Sequence, residues 1–120
     1  MILVENYDDQ LLMMGHAGYA PKGYDIVCEA CTALAQTLVA SIEELTTDRP
    51  EVLIESGHFN LVKKHLSAES GLLISAFLIG ISLLADGYPE YIRVNDQAVK
   101  SLKAAGNSEA LSLKTTDEER

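Results

Sequence analysis

A histidine and a cysteine on either side of a glycine-rich loop are the residues of this sequence best suited to chemistry. His16 ends an apolar stretch, and Cys28 lies just beyond a loop with two glycines and a proline. A cysteine becomes a nucleophile when its thiolate is stabilised and a base takes its proton. The positive end of a helix dipole at Cys28 and the imidazole of His16 would meet these two needs. A packed thiol beside an ordinary strand-end histidine is an equally weighted interpretation, because one such pair is common.

A second cysteine gives this thiol two further interpretations. Cys28 and Cys31 form a Cys-x-x-Cys motif, which is found in thiol–disulfide oxidoreductases, but Glu29 and Ala30 between them are not the Pro or Gly often present there. On a helix Cys31 falls on the apolar stripe and Cys28 about 60° away at its edge. This spacing predicts a core thiol at Cys31 and leaves Cys28 facing the loop. A zinc site formed with His16 would lack a fourth ligand.

The helix that carries Cys28 is the best-defined element of the sequence. Its predicted core-facing residues recur at steps of three and four: Val27, Cys31, Leu34, Leu38, Ile42 and Leu45. Asp25 is a preferred N-cap, and Thr46 to Pro50 ends the helix. Asp25 is also placed to orient His16, although capping explains it equally well. Free amides of the first turn would donate to an oxyanion formed near Cys28.

The remaining elements predict an α+β fold with a small antiparallel or mixed sheet and two main helices. Predicted strands run from Met1 to Asn6, Gln10 to Met14, Glu51 to Ser56, Phe59 to Leu66 and Glu90 to Asn95, with Gly57-His58 as a hairpin turn and His58 solvated. A second helix from about Ala68 to Asp86 is apolar on nearly all sides. We therefore expect it to be buried against both the sheet and a second copy of the chain.

Composition limits the possible functions. A chain of 120 residues with 48% hydrophobic residues is sufficient for one domain with a core. Its net charge of −9 disfavours nucleic-acid binding and does not oppose a basic polypeptide partner. The run from Gly71 to Ala85 is shorter than a bilayer span, and the N-terminus lacks an export segment. With two cysteines and no membrane segment expected, we predict a cytoplasmic protein with reduced thiols.

Two motifs resemble the ribosomal-processing cysteine protease family, often called Prp. They are Gly15-His16-Ala17-Gly18-Tyr19-Ala20 and Gly23-Tyr24-Asp25-Ile26-Val27-Cys28-Glu29-Ala30, which continues into Thr32 to Thr37. Gly57-His58-Phe59 and Tyr88 to Ile92 are also similar to that family. The resemblance spans roughly residues 1–95, so we expect a protease domain there and a short helix with a mobile polar tail over 96–120.

The resemblance implies a cysteine endopeptidase that acts on a protein substrate without a cofactor. Cys28 would be the nucleophile and His16 the general base, with Asp25 and Gly15 in supporting positions. The loop residues implied to cover the substrate as a mobile lid are Gly18, Tyr19 and Gly23. The implied assembly is a homodimeric α+β sandwich.

Three roles remain open within this resemblance. Family members remove the N-terminal extension of a large-subunit ribosomal protein, and phage relatives process virion proteins. A non-catalytic binding module is the third possibility. Two residues depart from the family pattern. Glu29 replaces a small residue, and its charge would either disfavour the Cys28 thiolate by repulsion or favour a basic substrate over an acidic one. Cys31 replaces an aliphatic residue.

Overall fold

The computed structural model describes residues 1–98 and contains one mixed sheet with two helices on one of its faces. Its elements in chain order are Ile2–Asn6 (β1), Gln10–Met14 (β2), Ile26–Leu45 (α1), Val52–Glu55 (β3), His58–Val62 (β4), Ala68–Gly87 (α2) and Ile92–Asp96 (β5). The predicted α+β class and the two main helices are thus observed. Of the short helix and tail predicted over 96–120, only the first three positions are described, and Asp96 there ends β5; the rest lies outside the described residues.

The strand order in the sheet is β3-β4-β2-β1-β5. Strands β1 and β5 are parallel because α2 connects β4 to β5 as a crossover, whereas the other neighbours are antiparallel. Alternate strand residues point towards the helices. Those buried there are Ile2, Val4, Leu11, Phe59, Leu61 and Ile92. This arrangement brings the ends of β2 and β3 to the same region of the sheet as the start of α1.

Helix α1 follows the predicted apolar period, except near Leu34 and at Leu45. Val27, Cys31, Leu38 and Ile42 are buried as expected. The buried residues also include Ala35, while Leu34 is only partly buried. The prediction of a core position at Leu45 was wrong, since this side chain is 70% exposed. The last turn of the helix extends past the edge of the core.

Helix α2 buries only one side within the chain. Ser70, Ile74, Phe77 and Ile81 are buried, but Leu72 and Leu83 are 72% and 59% exposed. The prediction that the sheet alone cannot cover this helix is therefore confirmed for the single chain. Both helices have 20 residues and are apolar enough to cross a bilayer, a test that core helices of globular domains also pass.

The start of α2 is tied to the preceding loop by Asp48. Its carboxylate accepts hydrogen bonds from the backbone amide and hydroxyl of Ser67, at 2.9 Å and 2.7 Å, and from the hydroxyl of Ser70. The hydrogen bond from Ser70 and the two from Ser67 hold the pKa of Asp48 below its ordinary value. The ionised carboxylate therefore fixes where α2 begins.

The hairpin between β3 and β4 differs from the prediction by one position. Its turn is Ser56-Gly57, and His58 is the first residue of β4, where it pairs with Glu55 on one side and Met14 on the other. The expectation of a solvated loop position for His58 was wrong, because pairing with β2 draws it into the sheet. Strand β4 ends at Val62, earlier than expected.

Candidate active site

His16 follows β2 at a position set by a glycine. Gly15 has φ of +95°, and a side chain there would collide with the backbone carbonyl of Met1. The Gly15 amide donates to the carbonyl of Gly57 at 2.9 Å, which joins the end of β2 to the β3–β4 turn. Gly15 therefore allows the chain to turn in a space where no side chain fits.

The imidazole of His16 lies against Gly57. A Cβ built at Gly57 would be 2.6 Å from Nε2 of His16, so the ring occupies the space that a side chain would fill. Gly57 also has φ of +75°, a conformation that L-residues with side chains rarely adopt. The sequence indicated a turn and a family-like segment at Gly57, but no contact with His16. The contact depends on the pairing of β2 with β4, whose partner residues are 44 to 52 residues apart in the chain, so the local sequence does not show it.

Cys28 lies in the first turn of α1 with its thiol directed at the chain next to His16. It is partly buried, and its Sγ accepts a hydrogen bond from the Ala17 amide at 3.2 Å. Ala17 is itself only 4% exposed, so this contact is partly protected from water. An amide donor stabilises negative charge on sulfur. The residue after the histidine thus contacts the nucleophile predicted from the sequence.

Asp25 joins the loop to the helix through one carboxylate. Its Oδ1 accepts from the amides of Val27 and Cys28, at 3.1 Å and 2.9 Å. Its Oδ2 accepts from the amides of Tyr19 and Ala20, at 3.0 Å and 3.3 Å. Burial raises the pKa of Asp25, but these four hydrogen bonds outweigh it and leave the pKa below its ordinary value.

These contacts decide between the two roles considered for Asp25. Within the described residues both of its oxygens accept from backbone amides, and none of its hydrogen bonds involves His16. Asp25 therefore caps α1, as predicted, and also fixes the loop. The sequence alone did not indicate the second contact, because it depends on how the loop folds back.

Three first-turn amides, those of Val27, Cys28 and Glu29, already donate to Asp25, so they are not free for an oxyanion, contrary to the prediction from the sequence. Val27 and Cys28 donate to the Asp25 carboxylate, and Glu29 donates to the Asp25 carbonyl at 3.0 Å. A cap and an oxyanion compete for the same donors. The Ala17 amide already donates to the sulfur of Cys28 and is therefore a donor at the reacting atom.

The glycine-rich loop both borders the site and is anchored outside it. Gly18 and Gly23 have φ of +74° and +94° and line the cavity at Cys28. Tyr19 points away, with its ring edge-on to Tyr88 at 5.7 Å and to Tyr91 at 5.2 Å. These aromatic contacts and the bonds to Asp25 hold the first half of the loop. Its role as a mobile cover stays a prediction.

His16 and Cys28 line one cavity of about 730 Å³ between α1 and the end of the sheet. Apolar side chains and Cys31 contribute to its walls together with polar residues of α1. The wall residues outside the loop include Ile2, Met13, Glu29, Thr32, Ala35, Gln36, Ile54, Glu55 and Phe59. Glu29 and Glu55 are both exposed, so acidic groups border the cavity on the helix side and on the strand side.

Cys31 occupies the core position predicted for it. It is 1% exposed, whereas Cys28 is partly buried. Burial, with smaller contributions from the negative charges of Cys28 and Asp25, raises the pKa of Cys31 to about 11. Cys31 is therefore a protonated thiol at neutral pH. In residues 1–98 no group of three or more His, Cys, Asp or Glu residues is placed to hold a metal ion.

A thiol at a helix start, an adjacent strand-end histidine and an amide directed at the sulfur define a candidate cysteine hydrolase site. The model of the family described as "Cysteine protease Prp" matches residues 3–93. The chain therefore belongs to the Prp cysteine protease family. The ribosomal processing cysteine protease Prp of Staphylococcus aureus strain Mu50 / ATCC 700699 is 31% identical over 88 residues, covering 71% of this chain and 83% of the relative.

Solved structures of this family share the fold. A Prp from S. aureus, crystallised with a covalently linked product peptide, has a TM-score of 0.76 at 28% identity, covering 81% of this chain and 100% of the other. The same protease with a substrate peptide has a TM-score of 0.72 at 27% identity, with the same coverage. The family predicted from the sequence motifs and its α+β fold are confirmed.

Proposed function

We propose that this protein is a cysteine endopeptidase in which Cys28 is the nucleophile and His16 the general base. The observation that carries the proposal is the Ala17 amide on Sγ of Cys28, next to His16 in the same cavity. His16 takes the thiol proton, and Sγ bonds to the scissile carbonyl carbon. The proton passes to the leaving amine, and water then hydrolyses the thioester. The Ala17 amide is the donor we assign to the oxyanion.

The substrate we propose is a large-subunit ribosomal protein whose N-terminal extension is removed during ribosome assembly. Support comes from the S. aureus relatives, which are named ribosomal processing proteases and were crystallised with product and substrate peptides. The net charge of −9 and the acidic residues beside the cavity suit a basic protein. We therefore propose a cytoplasmic location, where ribosomes are assembled.

The dyad is tested by substitution in the purified protein. Cys28→Ala and His16→Ala should each abolish cleavage of the extended precursor and leave the thermal unfolding midpoint within a few degrees. Cys31→Ala is the matched control, because it removes the other thiol of the pair and should retain cleavage. Retained cleavage in either dyad variant would exclude this mechanism. Insulin reduction that requires both thiols would instead assign the protein to thiol–disulfide exchange.

We also propose that two copies associate through α2. The exposed residues Leu72, Ile79 and Leu83 are spaced seven and four residues apart, so they lie on one side of the helix. The segment from Gly71 to Ala85 contains no ionisable residue. A symmetric pair of such helices would cover this surface on both copies.

A further inference from the structure

Strand β3 forms an edge of the sheet beside the candidate site. Its only sheet neighbour in the described part of the chain is β4. Leu53 and Ile54 are 41% and 49% exposed, although both are apolar. An apolar edge strand presents unpaired backbone groups that readily accept another chain. This edge therefore needs either protection or a partner.

The hydrogen-bond pattern identifies which groups of β3 are unpaired. The Val62 amide donates to the Glu51 carbonyl at 3.0 Å, so this pair is of the hydrogen-bonded type. In an antiparallel ladder such pairs alternate, and the pairs Leu53–Asn60 and Glu55–His58 are then hydrogen-bonded too.

The intervening residues of β3 have the opposite orientation. Val52 and Ile54, opposite Leu61 and Phe59, direct both backbone groups away from β4. The other side of β4 agrees with this assignment. Gly15 donates to Gly57 there, and alternation from that pair turns Phe59 and Leu61 towards β2.

The unpaired groups of Ile54 lie at the cavity that contains the nucleophile. Ile54 lines this cavity together with Cys28, and α1 contributes Thr32 and Gln36 to its lining. Cys28 to Gln36 rises about 12 Å along the helix. That is the length of roughly four residues of an extended chain. The part of α1 that lines the cavity is thus long enough to lie alongside about four residues of an extended peptide.

We propose that the substrate binds as an additional strand along β3, hydrogen-bonded to the amide and carbonyl of Ile54 and then of Val52. This inference rests on the proposed protease function and adds the binding mode of its substrate. Backbone pairing holds the chain in an extended form, with alternate side chains directed at α1 or away from it. The acidic groups of Glu29 and Glu55 outnumber the basic group of Lys22, which also lines the cavity, and favour a segment that carries a basic residue.

Strand addition predicts that every second backbone amide of the substrate is hydrogen-bonded to the protein, which recognition through side chains alone does not predict. Synthetic peptides spanning the cleavage site are N-methylated at one backbone position at a time, and their binding to the Cys28→Ala protein is measured by fluorescence anisotropy. Methylation of a paired amide should weaken binding about tenfold, because a hydrogen bond is lost and the methyl group blocks the edge. Methylation of the neighbouring amides should change it less than twofold. Equal effects at all positions, or no binding, would overturn the inference.

The protein side is tested at Ile54 itself. Ile54→Pro removes the outward amide, which an edge strand tolerates on its solvent side, and Ile54→Val is the matched control that keeps it. We expect KM to rise about tenfold more for the proline variant than for the valine variant, whose own effect measures the change of side chain alone. If Ile54→Pro instead changes only the oligomeric state, the edge pairs with a second copy and the inference fails. The peptide series remains decisive if the proline variant does not fold.

Failure of the strand-addition model is distinguishable from failure of the protease function. If the unmodified protein cleaves the substrate but N-methylation does not weaken binding at alternate positions, the protease function would be supported and strand addition rejected. If N-methylation weakens binding at alternate positions but no cleavage depends on Cys28, the strand-addition site would be supported and the protease function rejected.

Discussion

The imidazole of His16 and the backbone of Gly57 are packed so closely that a Cβ on Gly57 would lie 2.6 Å from Nε2. The turn between β3 and β4 therefore positions the candidate base, although it contributes no side chain at this point. Gly57 reaches His16 because β4 pairs with β2. The geometry of the dyad thus depends on the sheet as well as on the segment that contains both residues.

Gly57→Ala should lower activity by displacing His16. A misplacement of the base by about 1 Å costs on the order of 100-fold in kcat/KM. Forcing alanine into a positive φ should also destabilise the fold by about 1–2 kcal/mol. Steady-state cleavage and urea unfolding measure the two effects.

The control for this substitution is a double-mutant cycle with His16→Ala. Without the imidazole, Gly57→Ala should keep its backbone penalty and lose its steric one, so its destabilisation should decrease. An identical loss of stability with and without His16 would contradict the contact.

The two thiols should differ in reactivity and in their effect on alkaline stability. Native protein should react with one equivalent of a maleimide, at Cys28, and unfolded protein with two, because Cys31 is buried. The pKa of Cys31 is raised to about 11, whereas an unfolded cysteine titrates near about 8.5. The unfolded state therefore loses its proton first, and the free energy of unfolding should fall as pH rises through this interval.

Cys31→Ala tests this alkaline effect. The variant should lose this part of the pH dependence, as measured by urea unfolding between pH 8 and about 11, in the interval that the two pKa values define. Cys28→Ala is the matched comparison and should retain it. Equal labelling of both thiols in the native state would show that Cys31 is accessible.

Asp25→Asn should separate capping of α1 from fixation of the loop. Asparagine caps helices well through its oxygen, but its NH2 group cannot accept a hydrogen bond. The amides of Tyr19 and Ala20 would then face a donor, so KM should rise while helix content measured by circular dichroism is retained.

The same substitution should change acid stability. The pKa of Asp25 is lowered in the folded state, so its contribution is present above the unfolded pKa of about 3.9 and is lost as pH falls through the folded value. Asp25→Asn should weaken this acid dependence. Asp48→Asn is the matched control, because its pKa is also lowered but it lies at α2. It should weaken acid dependence without raising KM.

Glu29 should bias the enzyme towards basic substrates. Its exposed carboxylate lines the cavity one residue after Cys28. We expect Glu29→Gln to reduce the preference for a lysine-containing peptide over its glutamate counterpart by up to about fivefold, the range of exposed charge pairs. Higher salt should also reduce the preference of the unmodified enzyme for the lysine-containing peptide, because it screens the charge of Glu29.

Glu43→Gln is the control for Glu29. It removes the same charge from an exposed position of α1 outside the cavity. The preference should therefore be unchanged in this variant, as judged from kcat/KM for the two peptides. A loss of preference in both variants would assign the effect to the net charge of the protein.

Leu83→Lys should dissociate the proposed dimer. Leu83 is 59% exposed on α2, and a lysine there would place a charge in an apolar interface. The dimer dissociation constant should rise at least about 30-fold, as for a residue central to an interface. Leu45→Lys is the matched control on α1, where the leucine is 70% exposed. A monomer of the unmodified protein in sedimentation would reject the interface.

The sequence allowed prediction of features that depend on local spacing. The period of α1 separated the buried Cys31 from the partly buried Cys28, and the residue type of Asp25 predicted its cap. Both follow from the geometry of one helix. The core position expected at Leu45 failed because the period gives direction around the helix but not where the core ends.

Features that depend on pairing between distant segments were not predictable. The strand position of His58 and the contact between Gly57 and His16 both arise from the register of β2 with β4. The use of the Val27 and Cys28 amides could have been predicted from Asp25, because a carboxylate that caps the helix accepts from the donors that an oxyanion would need.

A single carboxylate, Asp25, couples any opening of the loop to fraying of the helix start, because both segments donate to it. If Tyr19 and Ala20 leave Oδ2, the more weakly held carboxylate is freer to release Val27 and Cys28 as well. A more open loop would then give better access to the cavity and a less firmly positioned Cys28. Hydrogen exchange at the amides of the loop and of the first turn should accordingly rise and fall together.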